Sequence, residues 1–226
     1  MQVLRLTLLS AILSSLYSEG ATVFDSITGN TIGGNNAEIT GPNSSILVFN
    51  FLVPKPDEEV AVQFQTGAFP STFDQLDFAI NSFLPTSTDP IEVSLSSGPT
   101  APGGVNPISL GSVTPSGGGG TQVLTVAPSV PVPLAANTSY WLHFTTSGSD
   151  PIYTLGSIVG TNTSGSWSVT DVSILEPSVN PAWVTQPGLI PALRIEATES
   201  IPEPSTTLLG ALGAIFALCT RRRLSC

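Results

Sequence analysis

Residues 139–146 read SYWLHFTT, and this stretch decides the fold class. Tyr140, Leu142 and Phe144 alternate with Trp141, His143 and Thr145. Successive side chains of a strand point to opposite faces, so this period of two predicts a strand with one apolar face covered. The same alternation recurs elsewhere. Val60, Val62 and Phe64 alternate with Ala61, Gln63 and Gln65, and Ile91, Val93 and Leu95 alternate with Glu92, Ser94 and Ser96. Leu193 and Ile195 alternate with Arg194 and Glu196.

Residues 46–53, 73–80, 108–113, 121–126, 151–158 and 166–174 give further strand signals between Gly/Pro/Ser/Asn/Asp turns. That makes about ten strands, with no helical pattern between them. A parallel fold would need crossover helices, so the expectation is all-β: an antiparallel β-sandwich or jelly roll over residues 22–198. The stretches SSGPTAPGGVNP (96–107) and TPSGGGG (114–120) break the rhythm and are expected as long hairpin tips or loops. No repeat of fixed period is visible.

Composition agrees with that class. The 226 residues include 21 glycines and 20 prolines, which disfavour long helices, yet 41% are hydrophobic, enough for a core. Between residues 22 and 200 the only cations are Lys55 and Arg194, in a chain of net charge −10. A phosphate backbone needs Lys and Arg to displace its counterions, so nucleic acid is excluded as a partner of this body, and an anionic lipid surface is disfavoured with it. Both cysteines, Cys219 and Cys226, lie in the terminal segment, leaving no disulfide and no Cys-based zinc site for the body.

The two ends have a different character. Residues 1–21 contain Arg5, an apolar run from Leu6 to Leu16 and small residues around Gly20 and Ala21, the pattern of a secretory signal peptide cut near Ala21. A buried helix is the weaker account, because the run ends in Ser, Glu and Gly and a strand-like sequence follows at once. Residues 199–226 carry Pro202, Glu203, Pro204 and Ser205, then a helix expected over 206–220, then Arg221, Arg222 and Arg223. Taken from Ser205 to Thr220 the apolar stretch has about 16 residues, ~24 Å at helical rise, short for a bilayer but sufficient with thinning and arginine snorkelling. The arginines would stop it on the cytoplasmic side, leaving the body outside. It is apolar all round, which argues against an amphipathic helix docked on the core.

Pro202-Glu203-Pro204-Ser205 followed by a short hydrophobic helix and an arginine cluster resembles the PEP-CTERM sorting signal of exported bacterial proteins. The resemblance implies that an integral-membrane exosortase recognises Pro-Glu-Pro and removes the tail. It also implies transient inner-membrane anchoring, followed by delivery to the cell surface or extracellular matrix. Physically, Pro202 and Pro204 keep the Glu203 stretch extended, since neither can sit in a helix interior or donate to a sheet. The body is similar, in shorter patches, to the choice-of-anchor β-domains, R type. The landmarks are VAVQFQTG, LDFAI, IEVSLSSGPTAPGG, LGSV, VPLAANTSYWLHFTT and PALRIEA, in that order. That resemblance implies location and fold and no reaction.

Chemistry is sparsely encoded. The single histidine, His143, lies on the face of its strand opposite Tyr140, Leu142 and Phe144, where a surface or half-buried position is expected. No serine sits in a G-x-S-x-G elbow. Asp74 with Asp77, and the run Asp57-Glu58-Glu59, could suggest a carboxylate pair, but close acids arise by chance in an acidic chain. No catalytic residue is assigned and the protein is read as no enzyme. No cofactor is expected; Ca²⁺ is the ion these oxygens would suit, without a ligand set to name. Trp141, Trp167 and Trp183, with Tyr153, are the candidates for stacking on a sugar ring, against core packing as the alternative. The leading expectation is an exported structural or interaction protein. The other is a carbohydrate- or calcium-binding module of an exopolysaccharide matrix.

Overall fold

The computed structural model describes residues 20–40, 45–48, 51–54, 58–82, 89–98, 107–117, 120–146, 152–159, 163–176, 180–186 and 188–200. The chain begins with β1 (Ala21–Asp25), β2 (Thr31–Thr40), β3 (Ser45–Val48) and β4 (Phe51–Pro54). Its middle supplies β5 (Glu59–Gln65), β6 (Ser71–Ser82), β7 (Ile91–Ser97), β8 (Ile108–Val113) and β9 (Gly120–Val126). The last third adds β10 (Val132–Leu134), β11 (Ser139–Thr146) and β12 (Ile152–Val159). β13 (Ser168–Glu176), β14 (Asn180–Thr185) and β15 (Leu193–Glu199) complete it. Among the described residues every strand pairing is antiparallel and no helix occurs.

Two sheets form the sandwich. One runs β14-β13-β5-β11-β7-β8. The other runs β1-β15-β6-β12-β2, with β9 and β10 also pairing β6. β6 is long enough to serve four neighbours. It takes β15 along 71–78 and β12 along 80–82 on one edge, and β10 along 71–73 and β9 along 76–82 on the other. β3 and β4 form a separate hairpin.

The expected alternation is what fills the space between the sheets. Val60, Val62, Phe64, Leu142 and Phe144 of one sheet and Phe73, Leu76, Phe78, Ile80 and Ile195 of the other share one buried cluster. Phe78 and Phe144 meet across it edge to face, with ring centroids 5.0 Å apart. Phe73 and Leu76 both join this cluster although they are three positions apart, an odd spacing that strict alternation forbids. A bulge resolves the conflict. Gln75 pairs with Glu196 but Phe73 pairs with Ala197, so Asp74 is the extra residue that restores the phase.

Several elements differ from the sequence expectation. Residues 46–53, read as one strand, are two, because Val48 pairs back onto Phe51. β2, β10 and β14 carried no strand signal of their own, while β1 is the strand-like sequence that follows Gly20. β2 (TIGGNNAEIT) is rich in Gly and Asn and pairs β12 with register shifts around Gly156, where its composition is tolerated. The block Ala136-Asn137-Thr138 ahead of β11 is a turn. Asn137 takes φ +49°, and Thr66 Oγ1 both donates to Ala135 O at 2.7 Å and accepts from Thr138 N at 2.9 Å.

Candidate functional site

The first and last strands of the described body meet at the same end of one sheet. β1 runs antiparallel to β15, with Ala21 opposite Ala197 and Thr22 opposite Glu196. The body's first strand therefore begins where its last strand finishes. Beyond β15, Ser200 N donates to Pro70 O at 2.8 Å. Pro202 follows two residues later, a reach of at most about 7 Å of chain. Residues 1–19 of the expected signal lie outside the described residues. So do Pro202, Glu203, Pro204, Ser205, the helix expected over 206–220 and Arg221, Arg222 and Arg223. Among the described residues no helix is long and apolar enough to cross a membrane.

Polar side chains gather at this end. Asp74 Oδ2 accepts a hydrogen bond from Thr198 Oγ1 at 2.8 Å. Glu199 Oε1 accepts from Ser166 Oγ and from Trp167 Nε1, each at 3.3 Å. The β1 edge is also held by a neighbouring segment: Trp167 N donates to Val23 O at 2.9 Å, and Asp25 and Ser164 exchange both backbone bonds.

The three tryptophans are not equivalent. Trp141 is 4% exposed and donates Nε1–H to Gly98 O at 3.0 Å. Trp167 is 5% exposed and stacks on Phe64 at 5.4 Å with nearly parallel rings. Both side chains are thus enclosed within the fold. Trp183, on β14, is half-buried and sets its ring edge-on to His143 at 5.6 Å.

His143 is more deeply placed than its alternation suggested, at 7% exposure. Its neighbours across the sheet explain this. Ala61 pairs with His143 on one side and Ser173 on the other, and these small residues are fully buried although they point away from the core. Trp183 reaches His143 over that low ground. The imidazole Nε2 lies 2.9 Å from Ser96 Oγ, and burial pushes His143 below its ordinary range. A serine–histidine contact of this length is the geometry of base-assisted nucleophiles. Here both partners are buried, and the serine oxygen is not offered to solvent.

The carboxylates are likewise committed. Asp77 is 1% exposed, and its Oδ2 accepts from Arg194 Nε at 2.8 Å and from Arg194 Nη2. Its Oδ1 accepts from Thr125 Oγ1 at 2.7 Å and Gln75 Nε2 at 3.0 Å. The hydrogen bond to Asp77 raises the Arg194 guanidinium above its ordinary value, outweighing desolvation. Asp74 belongs to the strand-end cluster instead, so the two acids suggested as a pair serve different partners. Of the run Asp57-Glu58-Glu59, Asp57 lies outside the described residues and Glu59 opens β5. Among the described residues no three His, Cys, Asp or Glu side chains converge to hold a metal ion. A cleft of about 270 Å³ lies beside Trp167, with Ser168, Thr170, Leu189 and Ile190 in its walls. It could not be read from the sequence, because it joins Phe24 to segments around 163–170 and 188–190.

An antiparallel sandwich, without helix among the described residues, followed in sequence by a Pro-Glu-Pro segment defines the class as a β-domain with a C-terminal sorting extension. Residues 200–223 match the PEP-CTERM protein-sorting motif. That motif is an exosortase recognition signal, which makes an exosortase the partner addressed by the segment. It marks the chain as exported, with transient membrane anchoring before processing. Neither the curated proteins nor the solved structures provide a match to this chain.

Proposed function

We propose that this protein is a structural or interaction β-sandwich of the bacterial cell surface or extracellular matrix. It is made with a signal peptide removed near Ala21, held in the inner membrane by the helix over 206–220, and cut at Pro202-Glu203-Pro204. It works without catalytic activity and without a cofactor. The observation that carries this reading is the sorting motif at 200–223, which begins where the last described hydrogen bond of the sandwich, from Ser200 to Pro70, ends. The order of β-landmarks supports a choice-of-anchor type of body. The absence of catalysis is supported by the burial of Ser96 and His143 and by the engagement of Asp74 and Asp77 elsewhere. Replacing Pro202 and Pro204 together by alanine in the native host tests the sorting step. Accumulation of a membrane-bound precursor is expected, and undiminished release would contradict it.

A second reading, a carbohydrate-binding module, is favoured by the cleft beside Trp167, where Ser168 and Thr170 stand near apolar Leu189 and Ile190. Calorimetric titration of the exported protein with the host's exopolysaccharide tests it. Heat of binding lost on Thr170→Val supports the module, and no heat at millimolar sugar rejects it.

A further inference from the structure

We propose that Asp74 is the seat of the α-ammonium group that signal-peptide removal creates at Gly20 or Ala21, and that this ion pair fastens β1 onto the end of β15. The inference rests on the reading that residues 1–21 are a signal cut near Ala21. Hydrolysis of that peptide bond consumes one water, leaves a carboxylate on the departing signal and places an ammonium on the body.

The geometry brings the Gly20 backbone against Asp74. A Cβ built on Gly20 would lie 2.7 Å from Asp74 Oδ2 and 3.7 Å from Thr198 Oγ1. The Gly20 backbone is one carbon–carbon bond, ~1.5 Å, from that point, with no side chain in between. The nitrogens of Gly20 and Ala21 are each within two bonds of the Gly20 Cα. Asp74 holds this position because it is the extra residue of the β6 bulge, a device that re-aims a side chain.

Charge favours the same pairing. Among the described residues Asp74 has one hydrogen-bond donor, the neutral Thr198 hydroxyl. Arg194 is engaged with Asp77 and lies opposite Asp25, at the far end of β1. Glu196 stands opposite Thr22, and Glu199 is engaged with Ser166 and Trp167. A new ammonium with three donors therefore enters a strand end whose charged groups, among the described residues, are the carboxylates Asp74, Glu196 and Glu199, and a charge-assisted hydrogen bond is the result. The uncut precursor offers a neutral amide there. Firm closure of β1 thus follows the first processing cut, at the end of the sheet where the second cut takes place.

The test uses the exported protein as the host processes it. The mass of its N-terminal peptide identifies the first residue. Trace labelling of the α-amine with acetic anhydride across a pH series, read by mass spectrometry, then gives its titration. The wild-type amine is expected to titrate about one unit above the ordinary range of ~7.7–8.0. Asp74→Asn, which keeps an acceptor for Thr198, should return it to that range, while Asp74→Glu and Thr198→Val should leave it raised. Equal titration in wild type and Asp74→Asn overturns the proposal. A mature terminus other than Gly20 or Ala21 also overturns it. Surface protein still beginning at Met1 would in addition reject the export reading, so the two failures are told apart.

Discussion

Arg194 Nε donates to Asp77 Oδ2 at 2.8 Å, which ties the single arginine between residues 22 and 200 to a carboxylate buried on the outer face of the sheet. A charge this well enclosed is tolerated only with its partner present. Arg194→Leu is expected to destabilise the protein by about 3 kcal/mol in urea denaturation. The double change Asp77→Leu with Arg194→Leu should cost much less, because no unpaired charge remains. Additive losses would show that the two side chains act independently.

Acid sensitivity should divide into two windows. Burial holds the His143 imidazole below its ordinary value of 6.5, so the unfolded chain binds a proton that the folded protein resists. The corresponding stability is complete above about pH 6.5 and is lost as pH falls below it. Asp25 behaves differently. Burial alone would raise its carboxyl, but hydrogen bonds from the Thr28 side chain, from the Thr28 and Ile27 amides, and the field of Arg194 hold it below its ordinary 3.8. Its stabilising effect is present above that value and disappears as pH falls through the folded pKa. Thermal unfolding against pH should therefore lose its slope below about pH 6.5 in His143→Gln, and part of its slope below about pH 3.8 in Asp25→Asn.

Two glycines with positive φ should respond very differently to alanine. Gly165 has φ +120°, and a Cβ there would fall on the Val23 carbonyl. Gly29 has φ +75° with open space around it. Gly165→Ala is expected to cost more than about 2 kcal/mol and to raise hydrogen exchange in β1, whereas Gly29→Ala should cost about 1 kcal/mol. Equal effects would mean that the β1 edge is not held by the 164–167 segment.

Chemical reactivity should rank the tryptophans. Trp183 is half-buried, while Trp141 and Trp167 are enclosed. Limited oxidation with N-bromosuccinimide, mapped by mass spectrometry, should modify Trp183 first. Early modification of Trp167 would instead mean that its ring faces an open cleft.

The strands that line the interior could be read directly, because Tyr140, Leu142 and Phe144 repeat at the period the pleat imposes. The sorting segment was equally plain, since its order of proline, apolar run and arginine is local. What escaped reading depends on partners distant in sequence. β2 is a strand because β12 supplies its hydrogen bonds, not because Gly33, Gly34, Asn35 and Asn36 favour one. The Phe73–Leu76 spacing makes sense only once β15 imposes a bulge. His143 looked like a surface or half-buried residue because nothing near it in sequence announces Trp183, forty residues later, as its cover. That Asp74 and Asp77 serve different partners could not be read either, because proximity along a strand says nothing about which face or which neighbour each one finds.

The most direct test of the account is the intact mass of the protein recovered from the cell surface or medium of its own host. The account predicts a chain beginning near Ala21 and ending within Pro202-Glu203-Pro204, with residues 206–226 absent. Surface protein that still ends at Cys226 would contradict it.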